Sequence, residues 1–477
     1  MAEIPEGWEL VIGLEVHCEL KTATKLFCGC PNMFGDEPNT NVCPTCLGLP
    51  GSLPVLNRNA VELAMRIGAA LNCAIEPSTF HRKNYFYPDM PKDYQVTQYD
   101  EPINVAGYLD LPDGFRVGVT RAHIEEDTGK SSHVGGDGRI HGATHSLVDY
   151  NRAGVPLLEI VSEPDIRTVD QARAYVTELR GIVVATGASD GRMEEGSMRV
   201  DANVSVRRSA DEPFGTRCEI KNVNSIRSLG RAIEYEARRQ IDCITNGERI
   251  IQQTRHWNEQ EGRTITGRVK EDADDYRYFL EPDLVPLVPD AAWVADVRSN
   301  LAVLPAARRQ TVADATGAEA ASMAVTTVVD LGLDDLVVSA VTAGADGRIA
   351  LARASNEVAA DAEAGRSLDV AAFTKLIGME SGGKITATQS KTVLGVLLAS
   401  GGDPEAIAAE HGFEAMDTGA LERVVDEIIA NSPAEWQRYL DGDQKVTGFF
   451  VGQVMKATGG KADGKAVTAA LVARAKG

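Results

Sequence analysis

A chain of 477 residues exceeds the size at which one hydrophobic core keeps growing, so two or three domains are expected. With 43% hydrophobic and 25% charged residues it reads as a soluble globular protein, and no apolar run approaches the roughly 18 residues of a membrane span. The net charge of −21, with acidic residues in excess on both sides of residue 290, excludes a protein that grips nucleic acid through a broad basic surface. Any RNA contact is then local or shared with a partner. The opening MAEIPEGWEL has neither a basic n-region nor an apolar h-region, which points to the cytoplasm and to no membrane association.

In chain order, the first predicted element is a strand over Glu9 to Leu20. Ile12, Leu14, Val16, Cys18 and Leu20 share one face of it, while Glu15, His17 and Glu19 share the other. Cys28 and Cys30, followed by Cys43 and Cys46, form a CxC and a CxxC in a turn-rich stretch. That spacing suits a knuckle at 28–46 delivering four thiolates to a tetrahedral Zn²⁺, a closed and therefore structural site. Reduced thiols in a small core are the plainer alternative. A helix follows Asn57, and then comes HRKNYFYPDMPKDYQ, which carries Lys83 and Lys92 beside an aromatic trio.

Four later segments repeat the polar row of the first strand: HIEED at 123–127, DYNRAGVPLLEIVSEPD at 149–165, EEGSMRVDANVSVR at 194–207 and CEIKNVNS at 218–225. Between and after them lie helices expected from Asp170 to Thr186, with Asp170 as N-cap, and from Ser228 to about Asn246. The three prolines of LEPDLVPLVPD, 280–290, predict a hinge or linker. Ala-rich helical text follows, with a second break at Gly401, Gly402 and Pro404. The fold class expected is α+β, with a β-rich first part and an all-α remainder.

A sheet that devotes a whole face to carboxylates, amides, a histidine and cations suits a ligand cavity better than bulk water. Glu15, His17, Glu125, Glu126, Asp127 and Glu159 are candidate ligands for Mg²⁺, which takes carboxylates, water and phosphate oxygens. A lone strand-borne Glu is ordinarily an ion-pair partner; recurrence on several segments, and the crowded HIEED, favour a cation. Asn151, Arg152, Asn203 and Lys221 are candidates for holding phosphates and a carboxylate. No GxxxxGK[ST] or GxGxxG occurs, so phosphate binding would not be of the P-loop or Rossmann kind.

The motifs IGLEVHCEL, RKNYFYPDMPKDYQVTQYD, RAHIEEDTGKSSH, DYNRAGVPLLEIVSEPDIR, MEEGSMRVDANVSVR, EIKNVNSIRSLGRAIEYEARRQ and EDADDYRYFLEPDLVPL, in that order, resemble the B subunits of tRNA-dependent amidotransferases, the GatB family. The resemblance implies a cradle domain over 1–293, a helical domain over 294–404 and a small YqeY-like tail over 405–477 that touches tRNA. It implies that ATP and Mg²⁺ phosphorylate the side-chain carboxylate of Glu-tRNA(Gln) or Asp-tRNA(Asn), and that ammonia then displaces the phosphate. By the same resemblance Glu15, His17 and Glu125 are metal or gate residues, Glu126 and Glu159 secondary ligands, and Glu125, Lys83 and Lys92 catalytic or on the ammonia path. It also implies ATP or substrate contact for Arg152, Asp201, Asn203 and Lys221.

The chain has no nucleophile set for releasing ammonia from glutamine. The resemblance supplies a separate amidase (glutaminase) partner, the A subunit, together with a small third partner, the C subunit, giving a heterotrimer that acts on charged tRNA(Gln) or tRNA(Asn). Two departures stand out: many family members lack the cysteine cluster, so zinc is not needed for the chemistry, and GGKADGKAV replaces a more usual GxANPxxV. Two other readings stay open, a non-catalytic RNA-binding scaffold and a free-standing Mg²⁺-dependent phosphohydrolase.

Overall fold

The computed structural model describes residues 4–135, 142–267, 276–413, 418–443, 445–458, 462 and 464–475. It divides into two compact units, Met1–Pro305 and Ala306–Gly477. Residues 271–275 of the motif EDADDYRYFLEPDLVPL, and part of GGKADGKAV, lie outside the described residues.

The first unit is built on a twelve-stranded sheet. Its centre is the strand Glu9–Glu19, flanked by antiparallel Met198–Arg207 on one side and Pro156–Ser162 on the other. Cys218–Val223 extends the first flank and Arg116–Glu126 the second. The period-2 pattern explains why these strands lie in the middle. Ile12, Val16, Cys18, Ala202, Val204, Leu158 and Ile160 are fully buried, so one face is core. The helices Val169–Ala185 and Ile226–Thr245 contribute Tyr175, Val176, Leu179, Leu229, Ile233 and Ala237 to that same core. Burying one such side chain contributes about 1.5–3 kcal/mol, which fixes the register and leaves the other face to the polar row.

The helix starts differ from the expected ones by a few residues. Thr168, not Asp170, caps the first, its hydroxyl accepting from the Gln171 amide at 3.1 Å; Asp170 sits in the first turn and pairs with Arg173. Ser225 likewise caps the second through the Ser228 amide at 3.0 Å. In both cases the hydroxyl reaches the third amide onward, the geometry a cap requires. The helix after Asn57 spans Arg58–Ala70, with Asn57 as its cap.

The proline-rich segment is not a hinge. Glu281 is buried and takes Arg82 through two bonds of 2.7 and 2.8 Å, and Leu287 exchanges two 2.8 Å backbone bonds with Ser78. Beyond it the helix Ala291–Ser299 puts Trp293 under the Arg58 guanidinium at 4.0 Å. The prolines limit the backbone without freeing it, and the first unit runs past the expected 293 to Pro305.

In the second unit, helices between Met323 and Glu410 enclose Val325, Val337, Phe373, Ile377 and Leu394. The break at Gly401–Gly402 does not end this cluster, because the helix Pro404–Glu410 adds Ile407 and Ala408 to it. A separate small core of Leu421, Val425, Val446, Phe450, Val467 and Leu471 is made by the last helices. No helix among the described residues is long and apolar enough to cross a membrane.

Candidate active site

Residues paired across neighbouring strands project to the same face, so register decides which polar groups meet. Glu159 lies opposite both His17 and His123, which aligns His17, Glu159 and His123 across three strands. Glu125, two residues past His123, shares their face. His17 Nε2 stands 3.6 Å from Glu159 Oε2 and 3.8 Å from Glu125 Oε1, and His123 Nε2 stands 3.5 Å from Glu159 Oε2. His17, Glu125 and Glu159 offer three ligand atoms within 4.8 Å of one another, a spacing that suits one divalent ion.

The electrostatics of this cluster follow from burial against mutual charge. Burial disfavours a charged His17, but the Glu159 carboxylate, with Glu125 and Asp201, outweighs it and holds the ring's pKa up at about 9. Burial, then the charge of Glu159, pushes Glu125 up to about 7. Glu159 is also buried, yet His123, His17 and Lys83 hold it well below the usual carboxylate range. Burial lowers His123 to about 4, so its ring is neutral at physiological pH. Glu159 is thus the ionised anchor, His17 its cation and Glu125 a group poised near neutrality.

Glu15 does not join that cluster. It faces Asp201, while Asn203 faces Glu219, and Glu15, Asp201 and Glu219 form a second group with ligand atoms within 4.8 Å. The two groups lie on one face of the central strand, with Glu15 and His17 two residues, about 7 Å, apart. Lys221 Nζ sits 2.5 Å from Asp201 Oδ2 and 3.4 Å from Glu219 Oε1. Asn203 donates to Glu15 at 2.9 Å, and its Oδ1 is buried with no partner among the described residues. Asn203 also lines a hollow of about 390 Å³, together with Gly13, Glu15, Ser162, Phe214 and Arg217. An all-oxygen triad is the better match to Mg²⁺, while a set that includes imidazole accepts softer divalent ions as well.

HIEED resolves into three destinations. Glu125 joins His17; Glu126 turns to the opposite side, where its Oε2 accepts from Lys92 Nζ at 2.5 Å and from the Val96 amide at 3.1 Å. Asp127 binds Arg199 at 2.9 Å and Arg152 at 3.4 Å. Glu126 is therefore apart from both acidic groups. Arg152 also donates to the carbonyls of Thr128 and Gly129 at 3.0 Å, so it shapes this loop. Asn151 is a loop brace too, accepting from the Asn41 amide at 2.8 Å. Lys83 Nζ lies 4.7 Å from the Tyr276 ring centroid, and its charge acts on Glu125 and Glu159.

Cys28, Cys30, Cys43 and Cys46 come together, with their sulfurs within 4.8 Å of one another. Zn–S bonds of about 2.3 Å in a tetrahedron put sulfurs about 3.8 Å apart, so the four thiols fit a zinc ion. Sequence reasoning did not single out His123 and Glu219. Each stands two positions before a chosen residue, Glu125 and Lys221, and strand periodicity alone would have placed it on the same face.

Residues 10–295 match the sequence family described as the GatB/GatE catalytic domain, and residues 335–474 match a second family described as the GatB domain. The chain belongs to the GatB family. The B subunit of the aspartyl/glutamyl-tRNA(Asn/Gln) amidotransferase of Salinispora arenicola (strain CNS-205) is 48% identical, covering 99% of this chain and 97% of the relative. The GatB protein of the same description from Frankia casuarinae is 50% identical over 99% of this chain and 97% of its own length. That of Streptomyces coelicolor is 48% identical over 96% and 94%.

Proposed function

We propose that this chain is the B subunit of a glutamine-hydrolysing tRNA-dependent amidotransferase, and that its sheet face activates the side-chain carboxylate of Glu-tRNA(Gln) or Asp-tRNA(Asn) with ATP. The observation that carries this is the meeting of two acidic groups, His17–Glu125–Glu159 and Glu15–Asp201–Glu219, on one sheet face. Carboxylates so close together need cations, and ATP with its metal brings charge of the right kind.

A carboxylate is a poor electrophile until its oxygen becomes a leaving group. In this reading a substrate carboxylate oxygen attacks the γ-phosphorus, ADP leaves, ammonia attacks the resulting acyl carbon, and phosphate departs with loss of one proton from nitrogen. Divalent ions held by the two acidic groups would neutralise phosphate charge. Lys221 and Lys83 offset the remaining negative charge at either end of the row. The hollow that Asn203 lines would take the nucleoside part of ATP. In this reading Glu125 is a ligand of the ion at the first acidic group. Lys92 and Glu126, on the other side of the sheet, are proposed for the path along which ammonia reaches the acyl carbon from the amidase partner, which the small third partner would hold in place.

Glu125→Gln tests the reading. Loss of amide formation with tRNA binding retained supports catalysis on this face. Unchanged turnover would instead favour an RNA-binding scaffold, and ATP hydrolysis by the lone chain at a comparable rate would favour a phosphohydrolase.

A further inference from the structure

Lys25 presents a charge with no visible counter-ion. The residue is 0% exposed, and its Nζ has a backbone carbonyl as partner, Tyr150 O at 3.2 Å. Among the described residues no carboxylate oxygen comes within ion-pair distance of it, and the neighbouring Glu126 is already taken by Lys92 at 2.5 Å. A buried ammonium without a counter-charge costs several kcal/mol.

What does lie beside it is the cysteine knuckle. The Lys25 amide donates to the Cys30 carbonyl at 3.0 Å. Lys25, Cys28 and Cys46 border one cavity of about 170 Å³. Gly154, at φ +84, forms the floor where they meet: a Cβ there would lie 3.6 Å from Glu126 Oε1 and 3.7 Å from both Lys25 Cδ and Cys46 Cβ. Four thiolates on one Zn²⁺ carry a net charge of −2 spread over the sulfurs. An ammonium has three donors, and the Tyr150 carbonyl takes one, leaving two. The lysine lacking an anion and the anion lacking a cation are neighbours.

We propose that Lys25 is the buried counter-cation of a zinc–tetrathiolate centre at Cys28, Cys30, Cys43 and Cys46, and a positioning residue for that metal. The inference rests on the zinc reading of the knuckle. It gives Lys25 a role in metal retention, separate from the chemistry at the acidic face. Removing an outer-sphere partner of this kind typically costs about 10- to 100-fold in metal affinity.

The test uses the full-length chain and follows transfer of bound zinc to a chromophoric chelator. Lys25→Met should lower zinc affinity by about 10-fold or more, and Lys25→Arg should retain most of it. A native chain that neither carries nor takes up zinc would overturn the metal reading itself. Zinc held equally by the native and Lys25→Met chains would overturn the role of Lys25 alone. Should Lys25→Met fold poorly, the same substitution is made in a chain whose four cysteines are serines. There it should raise the melting temperature, since it removes a buried charge that has already lost its partner; a drop in that background would equally refute the proposal.

Discussion

Glu159→Gln is the sharpest perturbation of the acidic face, because one carboxylate stands 3.6 Å from His17 and 3.5 Å from His123. In metal-free protein the rise of His17 from 6.5 to about 9 corresponds to about 3 kcal/mol of extra interaction with the protonated ring. Glu159 is the largest of the groups that raise it. With Glu159 neutralised, burial takes over and Glu125, itself half-titrated near 7, gives weaker support. The His17 pKa should then fall to about 6.5 or lower. The folded value lies above the unfolded one, so this stabilisation is full below about 6.5 and disappears as pH rises through about 9. The native protein should therefore exceed the variant in stability by about 2–3 kcal/mol at pH 6, and the gap should close towards pH 10. The assay is an NMR titration of histidine-labelled protein with chelator present, with urea unfolding at both pH values. A native His17 that titrates near 6.5, or a stability gap independent of pH, would refute the reasoning.

Lys92→Met leaves Glu126 buried and unpaired, so thermal melting should report a loss of about 3–5 kcal/mol, most of it recovered when Glu126→Gln is added; equal losses in both would contradict the pair. Phe450→Ala empties the middle of the small C-terminal core, costing about 3–5 kcal/mol and exposing residues 418–475 to protease, with melting of the first unit unchanged. Thr168→Ala should cost about 1 kcal/mol by urea unfolding, against a few tenths for Asp170→Ala, and the reverse order would restore Asp170 as the cap.

Strand periodicity made the acidic face legible: Glu15, His17 and Glu19 alternate with Leu14, Val16 and Cys18, and the latter set is buried. Register was not legible, because which residue of one strand faces which residue of another is set by distant packing and turns. It is register that places Glu159 between two histidines and sends Glu15 to Asp201. The crowding in HIEED was read as a sign of one cation site; alternation and the strand end relieve it, giving its three carboxylates separate partners. The cysteine spacing carried its own geometry, whereas the burial of Lys25 beside it depends on Gly154 and Tyr150, far along the chain. Prolines at 280–290 marked restricted backbone, which serves a fastened segment as well as a hinge.

Catalysis on the polar sheet face requires metal and nucleotide to meet there. Diffraction from crystals of the chain with Mn²⁺ and a non-hydrolysable ATP analogue, collected for anomalous signal, measures that directly. Manganese peaks are expected against His17, Glu125 and Glu159 and against Glu15, Asp201 and Glu219, with the nucleotide phosphates between or beside them. Manganese absent from both groups while the nucleotide is bound elsewhere would contradict catalysis on that face.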